Sequence, residues 1–256
     1  MMGNKMSLNE IHQVQIEMLK CIDEFCKKQN IRYSLGGGTL LGAVRHHGFI
    51  PWDDDVDIMM PRQDYELFMR SFCDYYPHYK KFTDKYPDNP ILFDKVYDDR
   101  TLLLEEGLEY GVFIDIFAID GFPKQKELIF DFFKKERLYL RLIKIKNKSI
   151  KKIPFKSLFS SLLPPMKILK NKMSCLYSTY DFEKSPLASV LMGEYGIAEV
   201  MKDVVYKEYT RLDFEGVSLS CIKHYDTYLT QHYGHYMELP PEDKRKTTHN
   251  IEVYWK

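Results

Sequence analysis

The chain has 256 residues, 45% hydrophobic and 29% charged, which is enough to bury the core of one domain with a smaller appended lobe. Its 19 Tyr and 16 Phe supply ample packing material and exclude global disorder. A formal net charge of zero removes any argument from bulk charge, so any charge argument must be local.

Ser7 followed by Glu10 is a capping box, and Ile11, Val14, Met18, Ile22 and Phe25 then recur at three- and four-residue steps, predicting an amphipathic helix that ends near Asn30. Residues 31–35 alternate in polarity and read as a strand. Gly36, Gly37 and Gly38 break it before a short helix over 39–45. After a loop marked by Gly48 and Pro51, 56–60 is predicted as a strand and 62–72 as a helix. Further strands are expected over 91–97, 101–104 and 112–116. From Lys124 the pattern turns helical, with Leu128, Phe132, Phe133, Leu138 and Leu142 along one side and breaks at Pro154 and at Pro164-Pro165. Strands joined by a Glu215-Gly216 turn are expected within 204–219, and a last helix over 222–233.

The chemistry concentrates in Trp52-Asp53-Asp54-Asp55-Val56-Asp57, where four carboxylates in five positions repel one another unless something positive neutralises them. Side chains alternate along a strand, so Asp55 and Asp57 share a face and Val56 points to the core. Two carboxylates on one face suit Mg²⁺, with Mn²⁺ as the alternative ion. Asp53 and Asp54 read more simply as a solvated turn. A third acid, Asp115, sits in the apolar run Phe113-Ile114-Asp115-Ile116-Phe117. A lone buried charge there would be costly, so it is assigned to the same ion, or else to an ion pair with Lys95. Gly37, Gly38 and Thr39 stand at a strand-to-helix junction where backbone amides can approach a phosphate. Arg45 suits either a phosphate or the end of its own helix, and Lys95 either the site or solvent. Neither GxxxxGK[ST] nor GxGxxG is present, so neither an ordinary P-loop NTPase nor a Rossmann dehydrogenase is supported.

The five cysteines are odd in number with no CxxC spacing, which argues against a disulfide framework and a cysteine zinc site; most are expected to be buried apolar residues. Residues 1–8 lack the apolar region of a secretory signal, and no window approaches the roughly 20 apolar residues of a membrane span, so a cytoplasmic protein is expected. Residues 124–172 carry about fifteen Lys or Arg against three acids, interleaved with Phe, Leu and Ile. That composition predicts either peripheral contact with an anionic membrane, on the inner face of the cytoplasmic membrane, or a solvated basic face. No zinc, RRM or helix-turn-helix signature supports a nucleic-acid partner.

The stretch GGGTLLGAVRHHGFIPWDDDVDIMMP over 36–61 closely resembles the signature of the LicD family, in the nucleotidyltransferase-like superfamily. That superfamily's G-G or G-S turn followed by an acid-hydrophobic-acid pair is matched by Gly37-Gly38 with Asp55-Val56-Asp57. Asp115 falls where the family carries a further acid, and Tyr233-Gly234, Pro240-Pro241 and His249 resemble its C-terminal pattern. The resemblance implies an α/β (α+β) fold with a mixed sheet flanked by helices. On it, 1–123 is read as the catalytic core, 124–180 as a helical insertion and 181–256 as the part completing the core.

The resemblance also implies transfer of phosphocholine from CDP-choline to a cell-surface glycan precursor, free or lipid-linked, such as teichoic acid or another bacterial polysaccharide. Relatives in the fukutin group imply ribitol phosphate from CDP-ribitol instead. On this reading Asp55, Asp57 and Asp115 are the catalytic and metal-binding residues. Gly37, Gly38, Thr39, Arg45, Asp54, Lys95 and His249 are the substrate-binding set, and Asp115 or Asp54 takes the acceptor's proton. True nucleotidyl transfer would use the same acids but leave the nucleotide on the product. A non-catalytic glycan- or phosphate-binding module would release no CMP.

Overall fold

The computed structural model describes residues 3–105, 107–147, 162–191, 196–246 and 252–256. Helix α1, Leu8–Gln29, starts with the expected capping box: the Ser7 hydroxyl accepts the Glu10 N–H, and the Glu10 carboxylate accepts the Ser7 N–H. It stops at Asn30, which takes the left-handed conformation of a C-cap. The strand expected over 31–35 forms only as β1, Ser34–Leu35, because Tyr33 and Ser34 spend their hydrogen bonds on other elements. Helix α2, Gly37–His46, begins two residues before the expected start, since Gly37 and Gly38 belong to its first turn.

Strand β2 is Asp57–Pro61 and helix α3 is Arg62–Tyr75. Then come β3 (Tyr79–Lys81), a single turn α4 (Phe82–Lys85), β4 (Asp94–Asp98), β5 (Thr101–Glu105), β6 (Leu108–Tyr110) and β7 (Phe113–Phe122). Five of these form the path β1-β2-β7-β4-β3, in which β2 and β7 run parallel and the other pairs antiparallel. In register, Asp57 lies beside Asp115 and Asp115 beside Lys95, so three polar residues stand abreast on adjacent strands and share one face. The opposite face packs under α3, whose Tyr65, Phe68 and Phe72 are buried.

Strand β7 runs six residues beyond the expected end at Ile116, and its far end pairs with β8 (Leu187–Ser189), which pairs with β9 (Met201–Lys202). One long strand thus curls the sheet and carries two neighbourhoods. Asp120, fully buried in this extension, is held by a two-pronged contact with Arg62, Nε to Oδ1 at 2.8 Å and Nη2 to Oδ2 at 2.6 Å.

Helices α5 (Lys126–Lys146) and α6 (Met166–Tyr177) pack together over a second hydrophobic cluster of Phe122, Phe132, Ile143, Leu169, Met173 and Tyr177. The Pro154 break falls outside the described residues. The segment 204–207 forms a helical turn, α7 (Val204–Lys207), where a strand was expected: Val205 and Tyr206 are buried against the main core, so packing overrides β-propensity. The Glu215-Gly216 hairpin does form, from β10 (Tyr209–Phe214) and β11 (Val217–Ile222), and α8 covers Tyr225–Tyr233. The last strand, β12 (Glu252–Trp255), pairs with β5. Of the cysteines, Cys26 and Cys221 are buried, Cys21 and Cys73 half-buried and Cys175 exposed, so most are not fully interior as expected.

Candidate active site

The acidic loop is tied down from three sides. Helix α1 reaches it with the His12 ring, whose Nε2 contacts the Asp53 carbonyl oxygen at 2.8 Å, and with the Gln15 amide, which donates to the Asp54 carbonyl at 2.9 Å. Helix α2 reaches it through the Thr39 hydroxyl, which accepts the Asp57 N–H at 2.8 Å. The Gly36 N–H donates to the Asp57 carbonyl at 2.9 Å, and the Asp115 N–H to the Val56 carbonyl at 2.8 Å. The backbone under Asp57 is therefore fixed independently of its carboxylate.

Carboxylate oxygens of Asp55, Asp57 and Asp115 all lie within 4.8 Å of one another, and those of Asp53, Asp54 and Asp55 form a second such group that shares Asp55. Burial, then the charges of Asp55, Asp115 and Asp53, push the Asp57 carboxyl well above the usual carboxylate range, with Lys95 opposing them. An all-oxygen donor set with one member held out of its usual charge state is what a hard divalent cation would relieve, so these residues fit such an ion. Gly37 contributes by lacking a side chain. It sits at φ +45°, and a Cβ there would lie 2.6 Å from Asp57 Oδ2.

The expectation of a solvated turn fails for Asp54, which is 4% exposed. Asp115 forms the expected ion pair, accepting a hydrogen bond from Lys95 Nζ at 2.6 Å, and its carboxylate also lies in the acidic group. Lys95 faces the site, itself buried, with Nζ 3.8 Å from the centre of the Phe113 ring. It balances one of the negative charges. Arg45 stands in the last turn of α2, as one of its two expected roles requires, and its guanidinium also donates to the carbonyl oxygens of Tyr236 and Glu238 at 2.8 and 3.2 Å, clamping the segment after α8 onto α2. His249 lies outside the described residues.

Sequence reasoning missed His12 and Gln15. Gln15 was detectable, being a polar residue on the buried face of α1 between Val14 and Met18. His12 stacks on Phe49 at 3.7 Å, a contact across thirty-seven positions that no local pattern announces.

The family model for the LicD/FKTN/FKRP nucleotidyltransferase domain matches residues 30–161. The lipopolysaccharide cholinephosphotransferase LicD of Haemophilus influenzae is 33% identical to this chain over 269 aligned residues, covering 98% of each protein. The chain belongs to the LicD family. It is a LicD-type phosphotransferase. Shorter matches are the human ribitol 5-phosphate transferase FKRP, 56% identical over 34 residues (13% of this chain, 7% of that protein), and the uncharacterized protein RP689 of Rickettsia prowazekii, 50% identical over 48 residues (19% and 18%). Among the described residues of this LicD-family protein, no helix is long and apolar enough to cross a membrane.

Proposed function

We propose that this LicD-family protein transfers phosphocholine from CDP-choline to a cell-surface glycan precursor, with Asp55, Asp57 and Asp115 holding Mg²⁺. The observation that carries the reading is the acidic group itself: three carboxylates from a loop and two parallel strands, within 4.8 Å, beside a glycine-opened helix N-terminus. When bound, the divalent ion supplies charge neutralisation on the donor's pyrophosphate. The amides at Gly38 and Thr39, at the positive end of α2, orient the donor's phosphate oxygens, while Gly37, whose own N–H goes to the Tyr228 hydroxyl, keeps the approach open by lacking a side chain. An acceptor hydroxyl attacks the distal phosphorus, the bond from that phosphorus to the bridging oxygen breaks, CMP leaves, and the acceptor's proton passes to Asp54 or Asp115. Lys95 holds Asp115 in place and offsets its charge.

The short FKRP match favours ribitol phosphate as the alternative cargo, on the same machinery. The test is CMP release from purified protein offered CDP-choline or CDP-ribitol with a crude glycan-lipid acceptor. Mg²⁺-dependent release, abolished by EDTA and by Asp55→Asn, supports the mechanism; intact donors in the presence of competent acceptor refute it.

The setting proposed for the reaction is the inner face of the cytoplasmic membrane, with the 124–180 insertion apart from the catalytic core and its basic segment 124–172 against anionic lipid. On α5, Phe130 and Leu138 are 64% and 55% exposed, with Lys134, Arg137 and Arg141 each within about a turn of one or the other along the same helix. Exposed apolar rings interleaved with cations are what an anionic interface attracts.

A further inference from the structure

Gly37 is flanked on two sides. Asp57 lies on one, and on the other stands the Tyr228 hydroxyl, which accepts the Gly37 N–H at 3.4 Å across 191 positions of sequence. Tyr228 is 3% exposed. A buried phenol normally both donates and accepts. Among the described residues, the Tyr228 hydroxyl accepts this one bond and no acceptor receives its own proton.

The ring is held firmly. The Tyr228 carbonyl accepts from His232 one turn later, and since a carbonyl can only accept, the His232 Nδ1 at 2.7 Å carries the hydrogen. Its Nε2 lies 2.9 Å from Glu199 Oε2, in a pair almost wholly withdrawn from water, and the two form an ion pair when Nε2 carries a proton as well. The Tyr206 hydroxyl donates to the Glu199 carbonyl at 3.0 Å, and the Tyr206 and His232 rings flank the Tyr228 ring at 6.1 and 4.2 Å. A buried ion pair adds little net stability compared with apolar packing. Here it ties the 3-10 turn Gly196–Glu199 to α8 and thereby fixes where the phenol stands.

We infer that Tyr228 binds the donor: its hydroxyl, braced by the Glu199–His232 pair, gives its proton in a hydrogen bond to a phosphate oxygen of the nucleoside diphosphate lying on the Gly37 turn. This rests on the proposed CDP-linked donor. Tyr228 contacts substrate, while Glu199 and His232 are positioning residues.

The experiment is calorimetric binding of CDP and of cytidine, with Mg²⁺, to the full wild-type chain and to Tyr228→Phe and Tyr206→Phe. A hydrogen bond to a charged oxygen corresponds to roughly ten- to a hundredfold in affinity. Tyr228→Phe is expected to weaken CDP by that factor while leaving cytidine affinity and the melting temperature near wild type. Tyr206→Phe, which deletes a hydroxyl engaged with the Glu199 carbonyl, lowers the melting temperature and keeps the wild-type ratio of CDP to cytidine affinity. Wild-type affinity of Tyr228→Phe for CDP, or a parallel loss for cytidine, overturns the inference. If wild-type protein does not prefer CDP over cytidine, the nucleoside diphosphate donor itself is wrong and the inference falls with it.

Discussion

Replacing Asp57 by Asn separates charge from shape, because the Thr39 hydroxyl and the Gly36 amide hold the backbone at this position whatever the side chain. In EDTA the wild-type site holds carboxylates within 4.8 Å. At an effective dielectric of about 20, two unit charges 4.8 Å apart repel by roughly 3.5 kcal/mol before proton uptake and Lys95 reduce the repulsion. Asp57→Asn is therefore expected to gain about 1–3 kcal/mol, or roughly 2–10 °C in melting temperature for a chain of this size. Added Mg²⁺ should stabilise wild type, by about 2.7 kcal/mol at a hundredfold excess over its dissociation constant, and leave the variant nearly unmoved.

The pH dependence has a definite sign. Burial and the neighbouring acids raise the folded Asp57 carboxyl above its unfolded value. Its contribution is then fully present below the unfolded value and lost as pH rises through the folded one. Metal-free wild type should lose stability across that window, and Asp57→Asn should show a flatter profile. Scanning fluorimetry from pH 4 to 9, with EDTA or Mg²⁺, reads all of this. A variant less stable than wild type in EDTA, or one with an undiminished Mg²⁺ shift, would refute the electrostatic account.

Lys95→Met leaves Asp115 buried without its cation, and should cost about 3–5 kcal/mol in EDTA, read by urea denaturation, with part of the loss restored by Mg²⁺. Gly37→Ala places a methyl group 2.6 Å from Asp57 Oδ2 at a positive φ, so CMP release should fall at least tenfold, with Mg²⁺ stabilisation weakened in parallel. Lys134, Arg137 and Arg141 changed together to Glu should abolish sedimentation with phosphatidylglycerol vesicles at low salt and spare turnover on a soluble acceptor. Absence of wild-type binding to those vesicles would remove the membrane setting.

The elements around the acids could be read because local rules and the tertiary fold agree there. Ser7 and Glu10 announce α1, the glycines announce α2, and an aspartate inside Phe113-Ile114-Asp115-Ile116-Phe117 has to meet something charged. What escaped depends on partners distant in sequence. Val204, Val205 and Tyr206 look like a strand, yet burial of Val205 and Tyr206 in the core folds the segment into a turn. Nothing local tells β12 that β5 will receive it, or that β7 continues to Phe122 because Arg62 waits for Asp120. Arg45 could not be decided between a phosphate and a helix end, because its partners are carbonyls nearly two hundred positions away. The candidate site follows the same division. Its carboxylates were visible as an improbable concentration of charge, whereas Tyr228 was one of many tyrosines until the fold set it against Gly37.

Mass spectrometry of the acceptor tests the central claim most directly. Purified protein is incubated with CDP-choline, Mg²⁺ and a glycan-lipid acceptor, with EDTA and Asp57→Asn as controls. The account predicts that the acceptor gains the mass of phosphocholine in step with CMP release, and that both vanish in the controls. An acceptor carrying CMP would instead place the attack on the nucleotide-bearing phosphorus, and an unchanged acceptor with intact CDP-choline and CDP-ribitol would contradict phosphotransfer by this site.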